Sequence, residues 1–349
     1  MIPEVAAPEK ILPTLTAKDF ATDQEVRWCP GCGDYSILAQ VHRVLPTLGI
    51  PRENFVVISG IGCSSRFPYY TNTYGMHSIH GRATSIATGL KATRPELSVW
   101  IVTGDGDGLS IGGNHTIHLL RRNLDVNVLL FNNQIYGLTK GQYSPTSEPG
   151  KVTKSTPLGS LDHPFNPAAL VLGADASFFA RSMDRDPKHL QATLLRAQGH
   201  KGTSFLEIYQ NCNIFNDGAF EIFTEKSTKP EEALFLEQGQ PLKYGADGNK
   251  GIRLDGYKPQ VVSLTDGQYS ADDLWIHDET DFFKAQILSR LFDDPSQEGH
   301  MPRPFGVFLA KERATYEDTM QLQIEEAIAT RGRGDLDKLL QGKETWVIE

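Results

Sequence analysis

Short apolar runs that end in glycine or polar residues recur along the first two thirds of the chain. Four of them have the length of a buried strand and occupy residues 55–58, 98–102, 126–131 and 204–209. Residues 111–122 mix polar and apolar positions over a length that suits one connecting helix. Apolar strands joined by helices are typical of parallel sheets that are covered on both faces. The pattern therefore predicts an α/β fold with a parallel sheet and helices on both faces.

The same pattern divides the chain into three parts. Residues 1–25 are predicted to form an N-terminal arm, residues 26–225 the parallel-sheet domain, and residues 226–349 a C-terminal extension. The extension begins rich in glycine, aspartate and lysine and lacks a repeated alternation of strands and helices. Apolar positions in residues 287–292 and 316–328 predict amphipathic helices that pack on the core or on a partner.

Composition narrows the class of protein. The chain has 349 residues, 39% hydrophobic and 22% charged, which is enough for one large α/β domain and an appendage. Its net charge of −9 argues against nucleic acid as a partner. No apolar run is long enough to span a membrane, and the N-terminus lacks the basic and apolar regions of a signal peptide. We therefore expect a cytoplasmic protein with no membrane association.

The second and third apolar runs each lead into a short polar segment. Gly-Asp-Gly stands at residues 104–106, and after 25 further residues Asn-Asn stands at residues 132–133. Because parallel strands joined by one helix end at the same edge of a sheet, we expect Asp105 and Asn133 to converge. Mg²⁺ prefers oxygen ligands, which here would be both side chains, a main-chain carbonyl near Ile135, two diphosphate oxygens and a water. This arrangement points to thiamine diphosphate.

Other interpretations of these two segments are weaker. Either segment alone is a common turn, and only their joint occurrence behind two strands favours a cofactor over a structural turn. Glycines at 104, 106 and 108 lack the Gly-x-Gly-x-x-Gly spacing of a nicotinamide-binding fold. We therefore set dinucleotide binding aside.

The four cysteines are a second indication of function, because they could together hold a metal ion or a cluster. Cys29 and Cys32 form a C-x-x-C turn, while Cys63 and Cys212 each follow a predicted strand. Four soft ligands suit either Zn²⁺ or a [4Fe-4S] cluster, and by spacing alone structural zinc is at least as good an interpretation. Disulfides are disfavoured in a reducing compartment. A dithiol redox pair would leave Cys63 and Cys212 without a role.

Five ordered motifs carry a resemblance to a known family. They lie at residues 28–35 (WCPGCGDY), 60–66 (GIGCSSR), 80–84 (HGRAT), 104–107 (GDGD) and 133–139 (NQIYGLT). Together they resemble the β subunit of 2-oxoacid:ferredoxin oxidoreductases, and within that family the 2-oxoglutarate type. The resemblance extends over roughly residues 26 to 225 and is specific, because five motifs occur in the same order.

The resemblance implies a set of cofactors and the residues that hold them. The β subunit of this family carries thiamine diphosphate, Mg²⁺ and one [4Fe-4S] cluster. Cys29, Cys32, Cys63 and Cys212 would ligate the cluster, and Asp105, Asn133 and the carbonyl of Ile135 would bind Mg²⁺. The residues expected around thiamine diphosphate are Ile61, Gly62, Cys63, Ser64, His80, Gly104, Asp105, Gly106, Asp107, Asn133, Gly137 and Leu138. Taken alone, His80 is as well explained as an ordinary loop histidine; its place in the motif makes it the candidate catalytic residue.

The implied reaction is the reversible, coenzyme A-dependent oxidative decarboxylation of 2-oxoglutarate to succinyl-CoA and carbon dioxide, with reduction of ferredoxin. In reverse it fixes carbon dioxide. Arg66 follows Cys63 by three residues, and its guanidinium is expected to bind the distal carboxylate of 2-oxoglutarate. Without the motif, a solvated arginine would be the better interpretation. Lys140 is a second candidate cation, and pyruvate or a broad range of 2-oxo acids is the alternative substrate.

One required part is absent from the predicted domain. Thiamine activation in this family uses a glutamate from a separate pyrimidine-binding domain, and the sequence after residue 225 does not have its pattern. We therefore expect an α subunit that supplies this glutamate, assembled as an (αβ)₂ heterotetramer. Two further interpretations stay open. One is a non-redox thiamine enzyme with a structural Cys₄ zinc site, and the other is a binding or regulatory module that zinc stabilises and that has no catalytic activity.

Overall fold

The computed structural model describes residues 14–292, 296, 299–346 and 348. In this part of the chain the strands are β1 Phe55–Ser59, β2 Tyr74–His77, β3 Ser98–Gly104, β4 Val126–Asn132, β5 Phe178–Met183, β6 Ser204–Tyr209, β7 Ala233–Phe235, β8 Lys243–Tyr244, β9 Lys250–Asp255, β10 Lys258–Ser263 and β11 Arg303–Ala310. The α-helices are α1 Asp34–Val44, α2 Phe67–Tyr70, α3 Ala83–Thr93, α4 Gly113–Arg122, α5 Pro167–Gly173, α6 Pro187–Gly199, α7 Glu221–Thr224, α8 Lys229–Glu232, α9 Phe282–Leu288, α10 Tyr316–Arg331 and α11 Leu336–Gln341. All four predicted strands are present.

Eight of the described strands form one sheet in the order β2-β1-β3-β4-β6-β5-β11-β7. The six strands from residues 26–225 are all parallel, as predicted. β11 pairs antiparallel with β5, and β7 pairs parallel with β11. The extension predicted after residue 225 is therefore continuous with the main sheet and contributes its last two strands.

Both faces of the sheet are apolar because successive side chains of a buried strand point in opposite directions. On β3, Ile101 joins one apolar cluster, while Trp100 and Val102 join the other. The first cluster includes residues of α3, α4 and α5, and the second includes residues of α1 and α6. The prediction of helices on both faces is confirmed.

The register of β3 and β4 sets the position of the polar segments. Gly104 at the end of β3 pairs with Phe131 near the end of β4. Residues 105 and 133 therefore leave the sheet at the same edge. A π-helix, Asp107–Ile111, precedes α4, so the predicted helix over residues 111–122 begins with a wider turn.

The C-terminal extension departs from the prediction in its helices. α9 ends at Leu288, so the segment 287–292 is helical only at its start. α10 is present, but its apolar residues Leu322, Ile324 and Ile328 are 66%, 44% and 42% exposed. α10 therefore does not pack an apolar face on the described core, and the alternative that it packs on a partner stays a prediction. β8, β9 and β10 form a separate antiparallel sheet.

The N-terminal arm falls mostly outside the described residues, which begin at residue 14. The described part of the arm contains a 3₁₀ helix, Ala17–Phe20, and Phe20 is buried against Phe55 of β1. None of the helices in the described ranges combines the length and the apolar content that a membrane crossing requires.

Candidate functional site

Asp105 is buried directly after β3. Its Oδ2 accepts hydrogen bonds from the hydroxyls of Ser144 (2.5 Å) and Thr146 (2.6 Å). Burial raises the pKa of Asp105, and the two hydroxyls lower it in part. Ser144 and Thr146 belong to the long segment between β4 and α5, which has no strand or helix periodicity, so the sequence analysis missed them.

Asn133 follows β4 at the same edge. Its Oδ1 accepts the main-chain amide of Ile135 (3.2 Å), and its Nδ2 donates to Oε1 of Gln210 (2.9 Å). This local turn holds the segment after β4 in place beside Asp105. The two strand ends are also linked by Thr146, because its hydroxyl lies 2.9 Å from Oδ1 of Asn132. The edge is therefore lined by carboxylate, amide and hydroxyl oxygens, the donor set that Mg²⁺ prefers.

Gly106 is required by a neighbouring ring. A Cβ at this position would lie 2.2 Å from Cε1 of Tyr136, and the hydroxyl of Tyr136 donates to the carbonyl of Gly106 (2.9 Å). The family resemblance places this glycine among the residues expected around thiamine diphosphate. In the structure it allows Tyr136 to pack on the turn after β3.

Asp107 joins three loops through its carboxylate. Oδ1 accepts the main-chain amides of Ile61 (3.0 Å) and Gly81 (2.7 Å) and lies 2.5 Å from Nδ1 of His80. Oδ2 accepts the hydroxyl of Thr103 (2.6 Å). The side chain is buried, so all of these contacts form away from solvent. Asp107 thus fixes the loops after β1 and before α3 relative to the end of β3.

The loop after β1 contains the next group of predicted residues. Gly62 has a φ of +143°, which favours glycine, and Ser64 is buried at the start of a short 3₁₀ helix, Ser64–Arg66. Arg66 is partly buried at the end of that helix, and its main-chain amide donates to the carbonyl of Cys63 (3.3 Å). No ion pair of Arg66 occurs among the described residues.

Three hydrogen bonds hold the cysteine-bearing segments together. The indole of Trp28 donates to the carbonyl of Cys63 (2.6 Å). The amide of Gly33 donates to the carbonyl of Asn211 (3.1 Å), and the side chain of Asn213 donates to the carbonyl of Pro30 (2.7 Å). The C-x-x-C turn therefore contacts both the loop after β1 and the loop after β6, which carry the other two cysteines.

All four cysteines are free thiols. A Cβ added to Gly137 would lie 3.5 Å from Sγ of Cys63 and 3.6 Å from Sγ of Cys212, so both sulfurs border this glycine. Burial raises the pKa of Cys63 to about 12 and raises that of Cys32 as well, with smaller contributions from the other thiols. In the described ranges, no three His, Cys, Asp or Glu side chains are arranged to hold a single metal ion.

Comparison with known proteins gives the family. Residues 60–208 match the family described as thiamine pyrophosphate enzyme, C-terminal TPP binding domain. The chain is 50% identical over 352 residues to the 2-oxoglutarate oxidoreductase subunit KorB of Mycobacterium tuberculosis, an alignment that covers 100% of this chain and 91% of that protein. This chain belongs to the β subunits of the 2-oxoacid:ferredoxin oxidoreductases.

Two further relatives agree with this family. The 2-oxoglutarate synthase subunit KorB of Archaeoglobus fulgidus is 42% identical over 237 residues, covering 68% of this chain and 83% of that protein. The solved 2-oxoglutarate:ferredoxin oxidoreductase from Magnetococcus marinus with 2-oxoglutarate, coenzyme A and succinyl-CoA bound superposes with a TM-score of 0.74 at 30% identity, over 96% of this chain and 98% of that one. The predicted family and the predicted thiamine-binding α/β fold are confirmed.

The β-subunit fold also gathers acids that the sequence analysis did not single out. Asp34 is buried beside Cys32, and burial raises the pKa of its carboxyl to about 7. The thiol of Cys32 is a weak donor to this carboxyl and lowers its pKa in part. In the described part of the chain, neither oxygen of Asp34 accepts a stronger hydrogen bond. Asp184 lies against Gly33, where a Cβ would be 1.8 Å from its Oδ2. Asp34 lies within the motif at residues 28–35 and Asp184 lies in none of the five, but only the fold shows that both acids are buried.

The segment after Tyr136 forms a tight turn at the surface of the β subunit. Leu138 is partly exposed, and Lys140 is exposed with a φ of +84°. The amide of Gly141 donates to the carbonyl of Tyr136 (2.9 Å) and closes the turn. Gly137 therefore connects Tyr136, which packs on Gly106, to a position that borders the sulfurs of Cys63 and Cys212, while Leu138 faces outward.

Proposed function

We propose that this chain is the β subunit of a 2-oxoglutarate:ferredoxin oxidoreductase. The enzyme would convert 2-oxoglutarate and coenzyme A to succinyl-CoA and carbon dioxide while two electrons pass to ferredoxin. The main support is the likeness over nearly the whole chain to relatives whose names specify 2-oxoglutarate. The polar edge at β3 and β4, with four cysteines beside it, supplies donors of the right chemistry.

The residues at the polar edge fit a magnesium diphosphate. The carboxylate of Asp105, the side-chain oxygen of Asn133 and the carbonyl of Ile135 would bind Mg²⁺ and through it the diphosphate. Bound thiamine diphosphate supplies the carbon nucleophile that lets a 2-oxo acid lose carbon dioxide. The hydroxyls of Ser144 and Thr146 would orient the Asp105 carboxylate, since both donate to its Oδ2.

The cysteines fit an electron-accepting cluster at the neighbouring loops. Cys29, Cys32, Cys63 and Cys212 would ligate a [4Fe-4S] cluster, which takes up electrons one at a time. Burial raises the pKa of the Cys32 and Cys63 thiols, so ligation of a cluster, which requires thiolates, would release their protons. Gly137 would be the part of the turn at residues 136–142 that lies against the cluster, because it borders two of the sulfurs.

Two cations and one histidine are the candidates for contact with the substrate. Arg66 is partly buried and has no ion-pair partner among the described carboxylates, so it would bind the distal carboxylate of 2-oxoglutarate. His80 has a side chain that is 39% exposed, with Nδ1 held by Asp107, which leaves Nε2 to face the reacting groups. Lys140 is a second candidate for the carboxylate. A partner α subunit would contribute the activating glutamate, within an (αβ)₂ assembly.

Metal analysis tests the redox function. The chain would be purified anaerobically with its partner subunit and analysed for iron, sulfide and zinc. We expect about four irons per chain and a broad absorbance near about 400 nm that bleaches on addition of 2-oxoglutarate and coenzyme A. Cys212→Ser should lose this absorbance. A colourless zinc protein would overturn the function and favour a non-redox thiamine enzyme.

Cofactor binding tests the metal site. Asp105→Ala should abolish Mg²⁺-dependent binding of thiamine diphosphate, measured by titration calorimetry. Asp247→Ala is the matched control, because Asp247 is exposed in the turn between β8 and β9. Retained binding in the Asp105 variant would remove this residue from the metal site.

Substrate kinetics test Arg66. Arg66→Ala should raise the KM for 2-oxoglutarate by about tenfold or more and leave the KM for pyruvate and 2-oxobutyrate nearly unchanged, since only 2-oxoglutarate has a distal carboxylate. Arg66→Lys should recover part of the loss. An equal effect on all three substrates would exclude a role in recognising that carboxylate and favour a broad 2-oxo acid range.

A further inference from the structure

A cavity adjoins the proposed cofactor site. It has a volume of about 780 Å³ and opens where the ends of β4 and β6 meet α5 and the C-terminal extension. Its volume is within the range of small-molecule pockets. The two sites share a wall at Asn132 and Thr146, but Asp105, Asn133, His80 and the cysteines do not line the cavity.

The inner end of the cavity carries an excess of positive charge. Arg181 is buried and pairs with Glu207, with Nε 2.7 Å from Oε2. A second guanidinium, that of Arg303, lines the cavity and shares the charge of the same Glu207. Among the described residues, these two arginines have one carboxylate, that of Glu207, close to both, so a bound anion would balance the remaining positive charge.

Arg303 presents an unused donor. Its Nε is buried and has no hydrogen-bond partner among the residues that the structure describes. Its guanidinium lies 4.0 Å from the centre of the Phe292 ring and 5.7 Å from that of Phe223, which fix its plane. Glu148, exposed at the rim, also lines the cavity but does not pair with Arg303.

The remaining wall of the cavity is largely apolar. Phe220, Phe223 and Leu170 line it, and Tyr209 stacks on Phe220 with ring centres 4.0 Å apart. Ala169 of α5 leaves room beside them. A ligand for this space needs an apolar or aromatic body and one anionic group at the end that meets the guanidinium.

We propose that this cavity is a binding site for a small organic anion, with a carboxylate or phosphate on Arg303 and an apolar body between Phe220, Phe223 and Leu170. The site is additional to the cofactor and substrate sites proposed above. Its occupancy requires neither thiamine diphosphate nor a cluster, so it can be tested on the full-length chain alone.

The first experiment measures binding of simple probes by saturation-transfer NMR and calorimetry. Benzoate and phenyl phosphate represent the two anionic groups, and benzamide is the neutral control of nearly the same shape. We expect both anions to bind and benzamide not to bind. Arg303→Met should weaken binding of the anions by about tenfold or more, the effect of losing a charge-assisted hydrogen bond. Arg303→Lys should weaken it less.

A second pair of variants keeps the test independent of the stability of the Arg303 variant. Ala169→Leu fills the cavity without changing charge and should abolish binding of benzoate and phenyl phosphate. Arg331→Gln removes an exposed charge of α10, which does not line the cavity, and should leave binding unchanged. Equal binding of benzoate and benzamide, or binding that survives Ala169→Leu, would overturn the proposal. Either result would leave the proposed oxidoreductase function standing, because that function depends on other residues.

Discussion

Oδ1 of Asp107 lies 2.5 Å from Nδ1 of His80 and also accepts the amides of Ile61 and Gly81. A histidine held through Nδ1 by a buried carboxylate keeps one orientation of its ring. Asp107 therefore positions His80 and, through the same oxygen, two loops of the candidate site. Asp107 thus arranges the candidate site through contacts within the protein.

Asp107→Asn tests this positioning role. The change places an NH₂ group against donors and removes the charge that strengthens these hydrogen bonds, so the free energy of unfolding should fall by about 2–3 kcal/mol. Denaturant unfolding measures the change. His80→Ala should cost much less stability, because the side chain of His80 is partly exposed, while lowering turnover. If both variants lost the same stability, His80 would belong to the structural core.

Gly106→Ala and Gly89→Ala form a matched pair. A Cβ at Gly106 would meet the Tyr136 ring at 2.2 Å, whereas nothing lies within 4 Å of a Cβ at Gly89 in α3. We expect Gly106→Ala to destabilise the protein by about 1–3 kcal/mol through overpacking. Gly89→Ala should stabilise it by about 0.5–1 kcal/mol, since alanine favours a helix.

The Tyr136 contact itself can be checked by a double variant. Gly106→Ala combined with Tyr136→Leu should lose less stability than the sum of the single variants, because the clash is removed with the ring. Thermal unfolding of the four proteins gives this coupling. Additive losses would mean that the ring does not constrain Gly106.

The convergence of Asp105 and Asn133 was predictable from sequence because it depends on strand order alone. Two parallel strands joined by one helix must end at the same edge, whatever packs around them. The hydroxyls on Asp105 were not predictable, since Ser144 and Thr146 come from a segment without periodicity. Asp34 was missed for a related reason: its burial depends on Cys32 and on contacts with residues far along the chain.

The C-terminal extension contains a strand whose pairing could not be predicted from the sequence. β11 joins the sheet antiparallel to β5, although more than a hundred residues separate them. Hydrophobic pattern indicates a buried strand but does not give its neighbour or direction. The exposed α10 shows a related point, because an apolar pattern on a helix does not tell whether that helix packs on its own chain or on a partner.

The buried pair of Arg181 and Glu207 predicts a large effect on stability. Arg181→Met would leave the Glu207 carboxylate with much less compensation and should cost about 3–5 kcal/mol. The double change Arg181→Met with Glu207→Gln should recover part of this loss, because the carboxylate that Arg181 compensated is then gone; Arg303, which also interacts with Glu207, limits the recovery. Chemical denaturation of both variants measures their free energies of unfolding and tests this expectation. A double variant no more stable than Arg181→Met would show that packing of the arginine matters more than its charge.

His42 predicts how stability depends on pH. The residue is buried against Thr71 and Phe67, and burial lowers its pKa to about 4. The unfolded chain binds the proton with a pKa of about 6.5, so the contribution of His42 is present above that pH and is lost as pH falls from about 6.5 towards 4. Between pH 7 and pH 5 the wild type should lose about 2 kcal/mol more than His42→Gln. If the free energy of unfolding of the wild type and of His42→Gln fell equally between pH 7 and pH 5, His42 would not be the source of this pH dependence.

The last prediction concerns the C-terminal tail. The start of α10 is anchored, because Glu317 accepts the amide of Asp125 (2.9 Å) and Asp318 pairs with Lys201 (3.2 Å). Beyond this turn the described residues are exposed, and Leu336, Leu339 and Leu340 of α11 are 67%, 77% and 75% exposed.

Ending the chain after Gly332 should therefore change the free energy of unfolding by less than about 0.5 kcal/mol. Glu317→Ala, in contrast, should cost about 1–3 kcal/mol, since it leaves the amide of Asp125 without its acceptor. Urea unfolding of the purified full-length, shortened and Glu317→Ala chains compares the three directly. A shortened chain as unstable as the Glu317 variant would mean that the tail packs on the body in solution, because removing exposed residues alone cannot produce such a loss.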